Sequence, residues 1–398
     1  MTLENIVQRL MKRQGYQGRT YNKADHPGDN MLLKNYLIDY LKSIDGETRS
    51  RSYSMTLAMA IHIIDGIGDL RMNEINKTVL RKFINNFAKK KYLKSPKANK
   101  YEYYSQSEIN KVYDLLHKVI KEASNEDGDK LLPIDYMANI KKPRTRQTPK
   151  SEPKAFTDQE INRLLRIVSE NPMIQIWILI MLYTGARPSE VLALKWSDIN
   201  YEEKTIDIFR TLSQEDFYDA EHMKKIKPSI PIITDLKNER NDGKINWQKR
   251  TLKVGDVLLT ALMEWNKYIT HNPRLMDMKR KHGTEEFLFC GPDGQMWLYE
   301  YYRQTYARLL KKHGLKYSDY NAYRFRHNYC TRLFRANINI KAAQMIMGDN
   351  TPTMVMKVYA NLDKSDVLNG SEYLSKGIDK VLSAYPPIQS ITSDILSE

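Results

Sequence analysis

The stretch Tyr183-Thr184-Gly185-Ala186-Arg187-Pro188-Ser189-Glu190-Val191-Leu192-Ala193-Leu194-Lys195-Trp196 decides how this chain is read. Just before it runs Met173–Tyr183, eleven residues that are apolar but for Gln175. A membrane span needs roughly 20 such residues, so this run predicts a buried helix over 174–183, stopped by Gly185. Pro188 suits the first position of a next helix, where its missing N–H is no loss, and a helix is expected over 188–195. Arg187 then stands at a junction between two helices, with Glu190 three residues on to hold its guanidinium. Alone, the pattern is better read as a structural Arg–Glu pair at a helix start.

Three later stretches change that balance: Tyr323-Arg324-Phe325-Arg326-His327-Asn328-Tyr329-Cys330-Thr331-Arg332-Leu333, then Ile346-Met347-Gly348-Asp349-Asn350-Thr351-Pro352-Thr353-Met354, then Lys357-Val358-Tyr359-Ala360-Asn361-Leu362. Thr351 can cap, and Pro352 can open, a short helix carrying Tyr359. No Gly-rich phosphate loop and no His-Glu-x-x-His zinc pattern occurs. The two cysteines, Cys290 and Cys330, are too few for a disulfide framework or a thiolate zinc site. Neither cofactor nor metal is expected.

On these residues the chain resembles the tyrosine recombinases of the phage integrase type. The stretch at 184–199 follows that family's TGxRxSEhLxLxWxDI pattern, Phe325 onward follows HxLRHxxxT, and Met347 onward has the spacing of LGHxxxxTTxxxY, with Tyr359 33 positions after Arg326. The resemblance is strong over about 157–365. It implies Tyr359 as the nucleophile of a 3′-phosphotyrosyl intermediate and Arg187 and Arg326 as the clamp on the phosphodiester. The general acid would be a lysine on a β-turn. Lys244, in Lys244-Ile245-Asn246-Trp247-Gln248-Lys249-Arg250-Thr251-Leu252, fits the family's K-T-x-x-S-x-R-T-I register with Gln248 in place of Ser, and Lys237 is the second choice. Two positions depart from the pattern. Tyr323 stands for a His three residues before Arg326, and Asp349 for a His or Trp after the LG turn. Tyr323 can hydrogen-bond a phosphate but is a poor base at neutral pH. A carboxylate at 349 would repel the phosphate unless it is protonated, faces Arg187 or Arg326, or points away; Asn350 is a substitute donor. His327 reads more as a core or supporting residue than as a base.

Outward from the motifs, 63 Lys+Arg against 48 Asp+Glu gives +15, which points to a polyanionic partner. With no basic, apolar leader at the N-terminus, a cytoplasmic protein is expected. Helices are expected over 31–41, 48–64 with Gly66 as the stop, 76–90 capped by Asn76, and 105–123 opened by the capping box Ser105–Glu108. Between the last two, Lys89, Lys90, Lys91, Lys94, Lys97 and Lys100 sit in twelve residues without an acid. That stretch reads either as a solvated loop or as a phosphate-contacting one. A second basic run over 141–154 includes Lys141, Lys142, Arg144 and Arg146, with three prolines and a single Glu, and reads as a semi-extended linker.

The expected organisation is an arm over 1–30, a helical module over 31–140, the linker over 141–155, a mixed domain over 156–375 and a tail over 376–398. The fold class is mainly α with a small β-sheet (α+β). In the mixed domain, strands are expected at 205–211, 229–234 and 250–254. Helices are expected at 158–170, 174–183, 188–195, 256–269, 299–312, 324–336, 340–347 and 352–360. The resemblance implies a four-helix SAM-like core-binding domain ahead of a catalytic domain, and duplex DNA bearing specific recombination sites as partner. It also implies a homo-tetramer working through a Holliday junction on a mobile element, with or without an accessory excision factor. The segment 366–382 is a candidate for docking on a neighbour or for capping its own domain. Rival readings are a DNA-binding relative that has lost cleavage, and a DNA-relaxing topoisomerase.

Overall fold

The computed structural model describes residues 30–45, 50–95, 99–125, 130–147, 155–219, 224–236 and 248–349, with 353, 355 and 356. The arm, Lys97, Lys237, Lys244, Asn350, Tyr359, the 366–382 segment and the tail lie outside the described residues. Two compact units emerge, one built from residues up to 151 with 214–230, the other from 152–213 with 231 onward.

In the first unit, helices α1 (Leu33–Ser43), α2 (Ser50–Ile67), α3 (Lys77–Lys89) and α4 (Gln106–Ser124) surround a core that includes Leu37, Leu57, Ile63, Leu80, Ile84, Val112 and Leu116. Asn76 caps α3 through Oδ1, which accepts from the amides of Thr78 and Val79. Ser105 and Glu108 close the capping box of α4.

Two sequence expectations are corrected here, and a third is given its contacts. Gly66 does not stop α2, which runs on to Ile67. A Cβ at 66 would lie 2.3 Å from the Phe83 ring, so this glycine admits a close helix–helix approach rather than a turn. The described part of the lysine-rich stretch is strand rather than loop: β1 (Lys91–Ser95) and β2 (Lys100–Tyr103) pair antiparallel, so the module is not all-helical. The start of the basic run at 141 is tied down. The Thr145 amide donates to Gln106 Oε1 (2.9 Å), the Thr145 hydroxyl donates to the Tyr104 carbonyl (2.5 Å), and Lys142 pairs with Asp114 (2.6 Å).

The second unit is organised around α6 (Pro172–Thr184). Ile174, Ile176, Trp177, Ile178, Leu179, Ile180 and Met181 are all buried, so the helix has no polar face. At about 1.5–3 kcal/mol per large apolar side chain, α6 anchors the domain. Around it lie α5 (Asp158–Val168), α8 (Asp256–Thr270), α10 (Tyr299–Lys312) and α11 (Ala322–Arg335). Strands β3 (Ile199–Asn200), β4 (Thr205–Ile208) and β7 (Arg250–Lys253) form an antiparallel sheet with Ile206 opposite Leu252. β5 (Arg210–Asp219) and β6 (Lys224–Asp235) pair separately, with residues 214–230 counted in the first unit, and extend well beyond the strand expected at 229–234.

The helix expected over 188–195 is only α7 (Pro188–Val191), followed by a 3-10 turn at Trp196–Asp198. The strand expected over 205–211 breaks after Ile208. A helix unseen in the sequence, α9 (Pro273–His282), is capped by Asn272 and ended by Gly283 at φ +64°. Its residues are so polar that its apolar spacing is faint. α12 (Ile340–Met347) falls as expected, and 353, 355 and 356 are helical. No helix among the described residues is long and apolar enough to cross a membrane.

Candidate functional site: an arginine cluster at two helix ends

Two left-handed glycines build the site. Gly185 ends α6 at φ +60°, and a Cβ there would strike the Tyr329 ring at 2.3 Å. Gly348 ends α12 at φ +65°. A Cβ at 348 would lie 2.5 Å from Arg250 Nη1. Both turns thus require a residue without a side chain. Thr184 steadies the first turn, donating to the Ile180 carbonyl (2.6 Å) and accepting from the Ala186 amide (3.2 Å).

Arg187 leaves this turn and is held on all sides. Its Nη1 donates to Glu190 Oε1 (2.6 Å), both terminal nitrogens donate to the Gly348 carbonyl (3.2 Å), and Nη2 donates to Asp349 Oδ1 (2.7 Å). Arg326, on α11 and only 2% exposed, donates to the carbonyls of Gly185 (2.8 Å) and Met347 (2.7 Å) and to the same Asp349 Oδ1 (2.6 Å). The two guanidinium groups therefore converge on one carboxylate oxygen. Asp349 is pinned in turn by Gln344, which donates to its carbonyl (2.9 Å) and accepts from its amide (3.1 Å). Its other oxygen, Oδ2, is buried and has no hydrogen-bond partner among the described residues.

Beneath them sits a residue whose role the sequence reading missed. Arg250 opens β7, buried, with Nη2 donating to Glu190 Oε2 (2.8 Å) and Nη1 to the Gln248 carbonyl (2.9 Å). A signal existed: in a strand, alternation places Arg250 on the same side as buried Leu252, and an inward arginine demands an acid. Arg187, Arg250 and Arg326 against Glu190 and Asp349 leave one net positive charge.

The electrostatics follow from this packing. Burial pushes the Glu190 carboxyl up, but Arg250, Arg187 and Arg326 together hold it below its usual value. Burial pulls Arg187 down, and Glu190, then Asp349 and Tyr323, more than restore it. Arg326 is lowered to about 10, by burial first and the Arg187 charge second, which still leaves it a cation at neutral pH.

Tyr323 lies in the first turn of α11, more than half exposed, and His327 is half-buried on the same helix. The structure thus brings together Arg187, Arg326 and Asp349. Of the basic DNA-contact candidates, Lys94 and Lys100 pair with Glu102 and Lys142 with Asp114. Lys89, Lys90, Lys91, Lys141, Arg144 and Arg146 are exposed, with no carboxylate partner among the described residues. Cys290 and Cys330 are buried free thiols, and no group of three His, Cys, Asp or Glu suited to a metal ion occurs among the described residues.

Two guanidinium groups thus converge on one carboxylate oxygen, a geometry suited to the oxygen of an anion. Residues 154–366, more than half of the chain, match the phage integrase family, and the chain belongs to that family. A curated relative, a tyrosine recombinase XerC-like protein of Caldanaerobacter subterraneus subsp. tengcongensis, is 25% identical over 232 residues. The match covers 56% of this chain and 54% of the relative, so the chain spans about half of that protein's length.

Among solved structures, the Tn1549 transposon integrase in complex with a circular intermediate DNA superposes with a TM-score of 0.62 at 17% identity, covering 87% of this chain and all of that one. A lambda integrase tetramer bound to a Holliday junction gives 0.52 at 14% identity, covering 89% and 85%. At such identities these likenesses establish the shared fold, helical with small sheets.

Proposed function

We propose that this protein is a site-specific tyrosine recombinase that cuts and rejoins duplex DNA. Tyr359 Oη attacks the scissile phosphorus, forming a 3′-phosphotyrosyl ester as the bond to the 5′-oxygen breaks. Lys244 protonates the leaving 5′-oxygen. A second 5′-hydroxyl reverses the step on the partner strand. Charge grows on the non-bridging oxygens in the pentacoordinate state, and Arg187 and Arg326 stabilise it there. The ester conserves the bond energy, so rejoining needs no nucleotide hydrolysis.

The observation that carries this reading is the convergence of Arg187 Nη2 and Arg326 Nη2 on a single anionic oxygen, at 2.7 and 2.6 Å. In this arrangement Asp349 Oδ1 occupies the clamp that the phosphate oxygen takes in the reaction. The first unit serves as the core-binding domain, and Lys89–Lys91, Lys141, Arg144 and Arg146 meet phosphates. Four protomers exchange strands through a Holliday junction to integrate or excise a mobile element.

A second reading, a DNA-binding relative without cleavage, is favoured by Asp349 and Tyr323. One assay separates them. Protein is mixed with a nicked suicide duplex carrying the DNA that flanks this gene, and products are resolved on a denaturing gel. The recombinase gives a covalent adduct that disappears in Tyr359→Phe and Arg326→Ala. Gel-shift binding with no adduct on any flanking site establishes the second reading.

A further inference from the structure

The β1–β2 ribbon sorts its side chains into two unlike faces. On the inner face Tyr92 lies opposite Glu102, and the Tyr92 ring stacks on Tyr104 (4.9 Å), Tyr104 on Phe87 (4.5 Å), and His62 closes the pile 5.1 Å from Phe87. Strand alternation then puts Lys91 and Leu93, with their partners Tyr103 and Tyr101, on the other face. There Leu93 is 41% and Tyr101 54% exposed, side by side, and Lys91 Nζ lies 4.9 Å over the Tyr103 ring. The only acid in either strand, Glu102, is neutralised by Lys94 and Lys100. The outer face therefore offers two bare apolar groups beside exposed Lys89, Lys90 and Lys91, backed by a rigid aromatic pile.

We propose that this face reads duplex DNA in the major groove, with Leu93 and Tyr101 packed on thymine methyl groups and the lysines on flanking phosphates. The recombinase reading supplies only the partner, DNA. The groove follows from shape: the major groove, about 12 Å wide, admits a two-stranded ribbon, and the thymine methyl is the apolar group that base edges present there. A preordered ribbon also loses little entropy on binding.

The test uses the full chain and three duplexes: the gene-flanking sequence, the same sequence with uracil for thymine, and a scrambled sequence. Leu93→Ala and Tyr101→Ala should each lower the flanking-to-scrambled affinity ratio by roughly fivefold or more, the scale of one lost base contact. Their melting temperatures should match wild type, since both side chains are exposed. Uracil should weaken wild type by a similar factor and leave the double variant unchanged. Lys91→Ala should weaken flanking and scrambled duplexes equally and lower the salt slope by about 1. An unchanged ratio in both truncations, or uracil sensitivity that survives in the double variant, overturns the inference. An absent covalent adduct in wild type with these ratios intact refutes the recombinase chemistry and leaves the ribbon reading standing.

Discussion

Glu190 is the charge on which the arginine cluster is balanced. It is 1% exposed and accepts from Arg250 Nη2, Arg187 Nη1 and the Arg187 amide. Its carboxyl is held below the ordinary value of 4.5 in the fold, so the unfolded chain binds the proton more readily. The stability it contributes is therefore present above about pH 4.5 and is lost as pH falls toward the folded value. Denaturant unfolding should show that loss. Glu190→Gln should cost about 3–5 kcal/mol at pH 7, the scale for breaking a buried ion pair, and should flatten the acid limb. In the proposed reaction Asp349 works in the opposite sense, because its carboxylate would compete with the scissile phosphate for Arg187 and Arg326. Asp349→Asn should lower the melting temperature of the free protein while tightening DNA binding several-fold, the effect of about 1 kcal/mol. Weaker binding in a gel shift would show that the carboxylate organises the clamp rather than filling it.

At the scale of elements, the site exists because two helices end in left-handed turns that face each other. Gly185 combines φ +60° with a 2.3 Å approach to the Tyr329 ring. Gly185→Ala should therefore cost about 2 kcal/mol or more from backbone strain and overpacking together. Because the Gly185 carbonyl also accepts from Arg326, adduct formation should fall further than stability explains. Calorimetry beside the suicide-substrate assay checks both. Helices whose caps are written locally, such as α3 with Asn76 and α4 with Ser105–Glu108, were legible because each cap is a contact within four residues. α9 was not, because its polar residues carry little apolar spacing. The extent of β5–β6 was not either, because a strand's length is set by its partner.

For the whole molecule, a charge of +15 makes affinity for DNA a salt-dependent quantity. Arg144 and Arg146 are exposed with no carboxylate partner among the described residues, whereas Lys142 already pairs with Asp114. Replacing Lys141, Arg144 and Arg146 together with Ala should reduce the slope of log affinity against log salt by about 3, near 0.9 per phosphate contact. Adding Lys142→Ala should change it less than each of those three. Titrations at several salt concentrations measure this directly.

The family, the buried α6 and the pairing of Arg187 with Glu190 were all legible in the chain, because each rests on residue types at short, regular spacing. The sequence also named Arg326 and Asp349, 23 positions apart, but left open whether the carboxylate faces the arginines or turns away. That Asp349 bridges both guanidinium groups, and that Arg250, 60 residues from Glu190, braces them from below, is visible in the folded chain alone. Only the fold turned the lysine-rich stretch into a two-faced ribbon. The physical reason is common to these cases. A buried charge or a strand edge is satisfied by whatever the fold brings within about 3 Å, and that partner leaves no local trace in the chain.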